Sequence, residues 1–438
     1  MHPCSAHLWG LLSLKFEMNC HGLVEFRMGC LTYNLGPSLT SEKKILVRTP
    51  VLDTRQNVIG YRLTWQNSAD NSRGSNCNEP VRLIECIASC VKHCTSGLFF
   101  IDGNAASLVN EAMQIMSPAN TVMMLDREVL LGLANSSLLP QLRKSGFGFG
   151  MRNADLAFLK ANRALLRFIS YVEVNSDQPD LELTAVFGRN AAPSFIVVVN
   201  QPDSWQKVIS NGDMGVYGFF SKLCVSSRID GLSKPLGAQS GLILQLMQMV
   251  QENADVRLLE AALKRDAALS FKLFKYINSA GFGMRVEIQS LRHAVTMMGY
   301  MPLFRWLSTM LAMTSATGFS SALLQAAMVR GRFGELLGQG SLTKNEAENM
   351  FFVGMFSLLD QLLGIPMREV LAQISLPQPV EQALNSQQGV FAPFLALIEA
   401  CEQYDPKASM FADALRLTPS QVNQAHMAAI AWAQNHQQ

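Results

Sequence analysis

The sequence has almost no excess of either charge. In its 438 residues 36 Lys and Arg stand against 34 Asp and Glu, a formal net charge of +2. With no basic cluster interleaved with aromatic residues, direct nucleic-acid binding is not expected. Charged residues make up only 16% and hydrophobic residues 49%, which excludes a disordered chain and implies well-covered interiors. The 9 cysteines are odd in number and lack the dense, even spacing of a disulfide-stapled secreted domain, so a reducing cytoplasm fits best. No apolar run is long enough to cross a membrane. The longest uncharged span, between Arg305 and Arg330, is broken by Ser, Thr, Gly and Gln and reads as buried helices joined by a turn. The start has no basic leader and no small-residue cleavage site. Residues 1–43 read as an extension, disordered or upstream of the true start, with Met28 as an alternative first residue.

What is present is a change of rhythm partway along the chain. Its length calls for two or more domains, each burying its own core. Between Lys44 and about Lys222, strand-like runs alternate with helical patterns: "ILVRTPVLD", "VIGYRLTWQ", "GLFFIDGN", "TVMMLD", "GFGFGM", "ISYVEVN", "SFIVVVN" and "GVYGFFS". Several lack a polar alternate face, as strands buried on both sides do, and the succession predicts a parallel sheet closed into a β/α barrel over residues 44–228, with "VIGYRLTWQ" as its first strand. An open doubly wound sheet is the weaker alternative, because no Gly-rich phosphate loop follows the first run. Residues 229–241, rich in Gly, Ser and Pro, read as a linker. From 242 to 438 the pattern is helical throughout, as in Leu242, Leu246, Met249 and Val250, and the last helix opens with Thr418 as cap and Pro419 at its first position. The expected fold class is α/β plus all-α.

These residues support a named resemblance. "RTPVLDTRQNVIGYRLTW", "KSGFGFGMRNADL", "YVEVN" and "VYGFFSK" resemble the successive strand-end motifs of EAL domains, TIM-type barrels that hydrolyse cyclic di-GMP. "LKRDAALSFKLFKYINSAGFG", "IQSLRHAVTMMG" and "FFVGMFSLLDQLLGIPMREVL" resemble the HDOD domain, an all-helical relative of the HD phosphohydrolases, with Asp266, Asn278, Ser279, Ala280 and Gly299 at the family spacing. The order is that of bacterial EAL–HDOD signal-transduction proteins, and it covers nearly everything after residue 44.

The resemblance also says where a barrel phosphodiesterase would keep its metal ligands. Its motif glutamate falls on Arg62 and the following asparagine on Asp102. The next glutamate falls on Leu125 or Asp126, and the paired aspartates on Arg152 and Asn153. The Lys-x-Asp strand reads Glu173 and Asn175, and the late acidic stretch opens with Asn200, followed by Gln201, Pro202 and Asp203. Phosphodiester hydrolysis requires a divalent ion with several oxygen ligands, and Arg62 and Arg152 repel it. At about 4 Å and an effective dielectric of about 20, each reversal replaces a gain of about 4 kcal/mol by a similar cost, so two amount to a swing of roughly 16 kcal/mol. A degenerate barrel, a pseudoenzyme without metal or other cofactor, is expected. Arg62 and Arg152 either hold an anion such as cyclic di-GMP or pair with neighbours such as Glu173 or Asp102, and pairing is the preferred reading.

The helical half lacks the means for metal chemistry of the HD type. No His-Asp dipeptide occurs, and His293, His426 and His436 are its only histidines. His293 reads as a surface or packing residue, and Asp266 and Asn278 as a helix cap and a turn. The methionine-rich runs "MQMV" and "MMGYM" read as core in preference to a partner groove. Cys86, Cys90 and Cys94, with His93 beside them, are better explained as a buried stripe than as a metal site. The expectation is a cytoplasmic scaffold acting on protein partners, itself included as a homodimer, with a noncatalytic cyclic dinucleotide sensor or a residual phosphodiesterase as alternatives.

Overall fold

The computed structural model describes residues 24–28, 31–35, 44–53, 55, 57–66, 78–90, 97–154, 156–175, 196–200, 218–220, 238–278, 290–313, 321–372, 376–403 and 405–435. The chain forms two compact units, 1–43 and 44–438. In the first, within the expected extension, β1 (Val24–Met28) and β2 (Leu31–Leu35) form an antiparallel pair.

The second unit opens with a closed barrel. Its strands are β3 (Leu46–Asp53), β4 (Val58–Trp65), β5 (Leu98–Asp102), β6 (Thr121–Leu125), β7 (Gly148–Met151), β8 (Tyr171–Asn175), β9 (Ile196–Asn200) and β10 (Gly218–Phe220), and β10 closes on both β9 and β3. From β4 to β10 neighbouring strands are parallel, whereas β3 runs antiparallel to both β4 and β10. The all-parallel sheet expected from the sequence is corrected here, and "VIGYRLTWQ" is the second barrel strand. The cause is local. The Asp53 carboxylate accepts hydrogen bonds from the backbone N–H of Arg55 (2.8 Å) and Asn57 (2.7 Å). That tight turn leaves no room for the crossover a parallel pair requires.

Strand alternation separates two kinds of core. Tyr61, Leu63, Phe99, Ile101, Met123, Leu125, Phe149 and Met151 face outward onto the surrounding helices. Val51, Phe100, Val122, Met124 and Phe220 face inward and form a separate cluster, with Tyr171 against it. Phe100 meets Tyr171 and Phe220 edge to face, at centroid distances of 5.1 and 5.5 Å. Glycines opposite make the room: a Cβ at Gly150 would lie 2.3 Å from Met124 Sδ. The interior is thus packed below its upper end, as in β/α barrels generally.

Around the barrel lie α1 (Glu79–Cys90), α2 (Ala105–Leu108), α3 (Arg127–Leu133), α4 (Leu138–Lys144) and α5 (Leu156–Ala161). The remainder is helical: α6 (Ala238–Gln251), α7 (Val256–Leu263), α8 (Ala267–Ile277), α9 (Leu291–Met298), α10 (Tyr300–Met313), α11 (Ser321–Gly338), α12 (Lys344–Phe356), α13 (Leu359–Leu363), α14 (Met367–Leu371), α15 (Gln378–Ser386), α16 (Ala392–Gln403), α17 (Ala408–Ala414) and α18 (Pro419–Asn435). α6 begins inside the stretch expected as linker, because Ala238, Gln239 and Ser240 are helix-compatible and Ser240 is buried. Among the described residues no helix is long and apolar enough to cross a membrane.

The barrel and the helical half meet along β3. Leu46 N–H donates to Asn423 Oδ1 (2.7 Å), and Asn423 Nδ2 donates to the Lys44 carbonyl (3.0 Å), so α18 completes the hydrogen bonding at the start of that strand. At the far end of β4, Gln66 Nε2 donates to the Asp405 carbonyl at 2.6 Å.

Candidate functional site

The same alternation that sends Phe100 inward sends Arg62, Asp102, Arg152 and Glu173 to one place, the end of the barrel where the parallel strands finish. Register fixes their heights: Arg62 pairs with Phe100, Asp102 with Met124, and Glu173 with Val198. Backbone bonds past the strand ends hold the loops, with Gly103 N–H donating to Met124 O and Arg152 N–H to Leu125 O, both at 2.9 Å.

Arg62 is the hub. Its Nη2 donates to both Asp102 oxygens (2.9 and 3.0 Å) and its Nη1 to Glu173 Oε1 (2.9 Å), while the guanidinium carbon lies 5.0 Å from the Phe220 ring centroid. Arg152 extends the chain of pairs: Nη1 lies 3.0 Å from Asp102 Oδ2, and Nη2 donates to Asp126 Oδ2 at 2.5 Å. Five ionisable groups, two guanidiniums and three carboxyl groups, are therefore joined in the order Glu173, Arg62, Asp102, Arg152, Asp126. The Glu173 side chain is only 3% exposed and that of Arg62 12%.

Burial pushes the Glu173 carboxyl above the usual range, which Arg62 opposes and Asp102 reinforces. At Asp102 burial also works upward, but the two guanidiniums outweigh it and hold the group below the ordinary aspartate value. Arg152 is raised, because Asp102 and Asp126 overcome its desolvation.

A divalent ion does not fit this donor set. Each carboxylate is already taken by a guanidinium, and two arginines occupy the space that further oxygen ligands would require. Among the described residues no group of three or more His, Cys, Asp or Glu is arranged to hold a metal ion.

Other residues singled out in the sequence are scattered. Asn153 is exposed and left-handed (φ 49°), a turn residue outside these ion pairs. Asn200 ends β9 opposite Asn175. Asp203 lies outside the described residues, as do His93, Cys94, Ser279, Ala280 and His436. In the helical half Asp266 caps α8, accepting from Leu269 N–H at 2.9 Å, Asn278 is its C-cap, and Gly299 ends α9 at φ 79°. His293 is exposed. Cys86 and Cys90 are half-buried on α1, and Cys86 Sγ accepts from Asn423 Nδ2 at 3.6 Å. Met247 and Met298 are core, whereas Met297 and Met301 are exposed.

A second polar cluster was missed by sequence reasoning. Arg48 points outward from β3 into the seam, ion-paired with Glu402 and donating to His426 Nε2 at 2.5 Å. Glu402 also accepts from Arg330 Nε (2.8 Å), and Arg330 reaches Glu399 (3.1 Å). Burial and then the Arg48 charge hold His426 well below the usual histidine value, so the ring is neutral, its Nδ1–H donating to Leu46 O (3.2 Å) while it stacks on Phe333 at 4.6 Å. The one signal available was a charge inside an otherwise apolar strand, the Arg of "ILVRTPVLD".

Residues 236–369 match the HDOD domain family. The uncharacterized protein YuxH of Bacillus subtilis is 20% identical over 408 residues, covering 89% of this chain and 98% of YuxH. The cyclic di-GMP phosphodiesterase CdgJ of Vibrio cholerae is 29% identical over 165 residues, 37% of this chain; the chain spans only 38% of CdgJ. Among solved structures, an EAL domain protein of Listeria monocytogenes is 13% identical with a TM-score of 0.32, covering 41% of this chain and 86% of that one. Residues 236–369 are thus similar to the HDOD family, the segment lies behind a closed β/α barrel, and part of the chain is similar to a cyclic di-GMP phosphodiesterase.

Proposed function

We propose that the chain is a noncatalytic signal-transduction scaffold of the cytoplasm that works through protein–protein contacts, its barrel serving as support or input and its helical half as output. The observation that carries this reading is the ion-paired chain Glu173, Arg62, Asp102, Arg152 and Asp126, in which guanidiniums stand where a metal-dependent phosphodiesterase would need anions. Incubation of the full chain with cyclic di-GMP and Mg²⁺ or Mn²⁺ tests it. No linear dinucleotide above a metal-free control is expected, and metal-dependent product overturns the reading.

A second reading, a noncatalytic sensor of cyclic di-GMP or another anion, draws on two buried atoms at the mouth. Arg152 Nε and Glu173 Oε2 have no hydrogen-bond partner among the described residues. Against it stands the charge balance, since an incoming phosphate must displace carboxylates already bound to both arginines. Calorimetric titration with cyclic di-GMP separates the two: heat that saturates and is lost in Arg152→Ala favours the sensor, and a flat titration favours the scaffold.

A further inference from the structure

The outer face of α8 has a composition its own packing does not require. Leu269, Ser270, Leu273 and Ile277 turn into the bundle, while Ala267, Ala268, Phe271, Lys272, Lys275 and Tyr276 are exposed. At about 100° per residue these six positions fall within half the helix circumference and form one stripe. Phe271 is 68% exposed and Tyr276 36%. A single exposed apolar residue is ordinary, but this stripe joins two aromatics and two alanines to two lysines, with no acidic residue among them.

Charge makes the stripe more specific. Across α7, α8 and α9 with their caps, the six cations Arg257, Lys264, Arg265, Lys272, Lys275 and Arg292 stand against three acids, Asp255, Glu260 and Asp266. That local excess is larger than the +2 of the whole chain. All three acids are already engaged, Asp255 accepting from Arg257 N–H at 2.7 Å. Glu260 is bound by Lys264 and Arg292, each at 2.8 Å, and Asp266 accepts from Leu269 N–H and from Gln239 Nε2 (3.0 Å). Lys272 and Lys275 are in no ion pair among the described residues.

We propose that this face of α8 docks an acidic amphipathic helix of another protein, whose apolar side chains cover Phe271 and whose carboxylates meet Lys272 and Lys275. The proposal rests on the scaffold reading and names the surface and the partner chemistry. A membrane surface fits less well, because an interfacial helix sinks its whole apolar face into lipid and the apolar face of α8 is already buried in the bundle. Nucleic acid fits less well too, since it draws on many phosphate contacts and the stripe offers two cations.

The test is a fluorescence-anisotropy titration of the full chain against a labelled synthetic peptide of roughly four helical turns, with Leu at helical spacing and Glu between. Saturable binding is expected. It weakens about tenfold or more in Phe271→Ala and in the double variant Lys272→Glu/Lys275→Glu, it falls with added salt, and it is absent for the same peptide with Lys in place of Glu. Because the three side chains are exposed, circular dichroism and melting temperature are expected to match the wild type in both variants. Absence of binding, or equal binding by the wild type and the folded variants, overturns the proposal. So does variant-sensitive binding to vesicles of phosphatidylcholine and phosphatidylglycerol or to oligothymidine in place of the peptide, or self-association that is lost in Phe271→Ala. A flat peptide titration together with absent cyclic di-GMP hydrolysis removes this surface and leaves the scaffold reading standing.

Discussion

Arg62 lies between Asp102 and Glu173, with Phe220 against its guanidinium, and its charge opposes the upward push of burial on both acids. Removing it leaves Glu173 buried without its cation and Asp102 with Arg152 alone. Arg62→Ala is expected to lower the unfolding free energy by about 2 to 3 kcal/mol, read from urea denaturation. Glu173 adds a pH signature. Its folded value lies above the ordinary 4.5, so the folded state holds the proton more tightly than the unfolded chain. Its stabilising contribution is therefore complete below 4.5 and falls as pH rises through the folded value. Glu173→Gln is expected to remove that fall, so the stability difference between variant and wild type grows in the variant's favour above pH 4.5. A constant difference across that range contradicts the assignment.

Much of this residue-scale picture was legible in advance. Alternation along a strand places Arg62, Asp102 and Glu173 inward once the strands are recognised, and the pairing of guanidinium with carboxylate follows from their being together. What sequence reasoning missed was which acid meets which base, because that depends on strand register, a property of the closed barrel.

Among the elements, β3 carries the most. Within the barrel it is the strand that runs antiparallel to both its neighbours, it closes the barrel, and its outward face is covered by α16 and α18, where Arg48 meets Glu402 and His426. Arg48 and Arg330 share Glu402, so Glu402→Gln leaves two buried guanidiniums short of a counter-charge, and a loss of about 3 kcal/mol or more in unfolding free energy is expected. His426 titrates with the opposite sign to Glu173. Its folded value is depressed, so its contribution is present above the ordinary 6.5 and is lost as pH falls below it. The helix pair α11 and α12 shows the same closeness in an apolar setting. A Cβ at Gly354 would lie 2.3 Å from the Arg330 carbonyl oxygen, and Gly354→Ala is expected to cost about 1 to 3 kcal/mol by forcing the helices apart. Helix periodicity announced the elements; nothing in it announced that Gly354 lets them touch.

For the molecule as a whole, the division into barrel and helical half is a division of sequence rhythm more than of structure. Residues 44–438 form one compact unit, and the covered face of β3 has nothing to replace α16 and α18. Residues 44–438 are expected to unfold in one transition by heat and by urea, and 44–228 produced alone is expected to lack near-ultraviolet circular dichroism. Two separated transitions, or an ordered isolated barrel, contradict a shared core. The sequence reading placed a boundary between the halves because composition changes there. It could not register a seam built from residues some 350 positions apart, such as Arg48 and Glu402, which lie 354 apart in sequence.

The proposed scaffold role requires that the guanidiniums of Arg62 and Arg152 leave no place for a divalent ion at the barrel mouth. Electron paramagnetic resonance of free Mn²⁺ during titration with the full chain measures this directly. All added Mn²⁺ is expected to stay free at stoichiometric concentrations, with and without cyclic di-GMP. One equivalent bound, and released by Asp102→Asn, contradicts it.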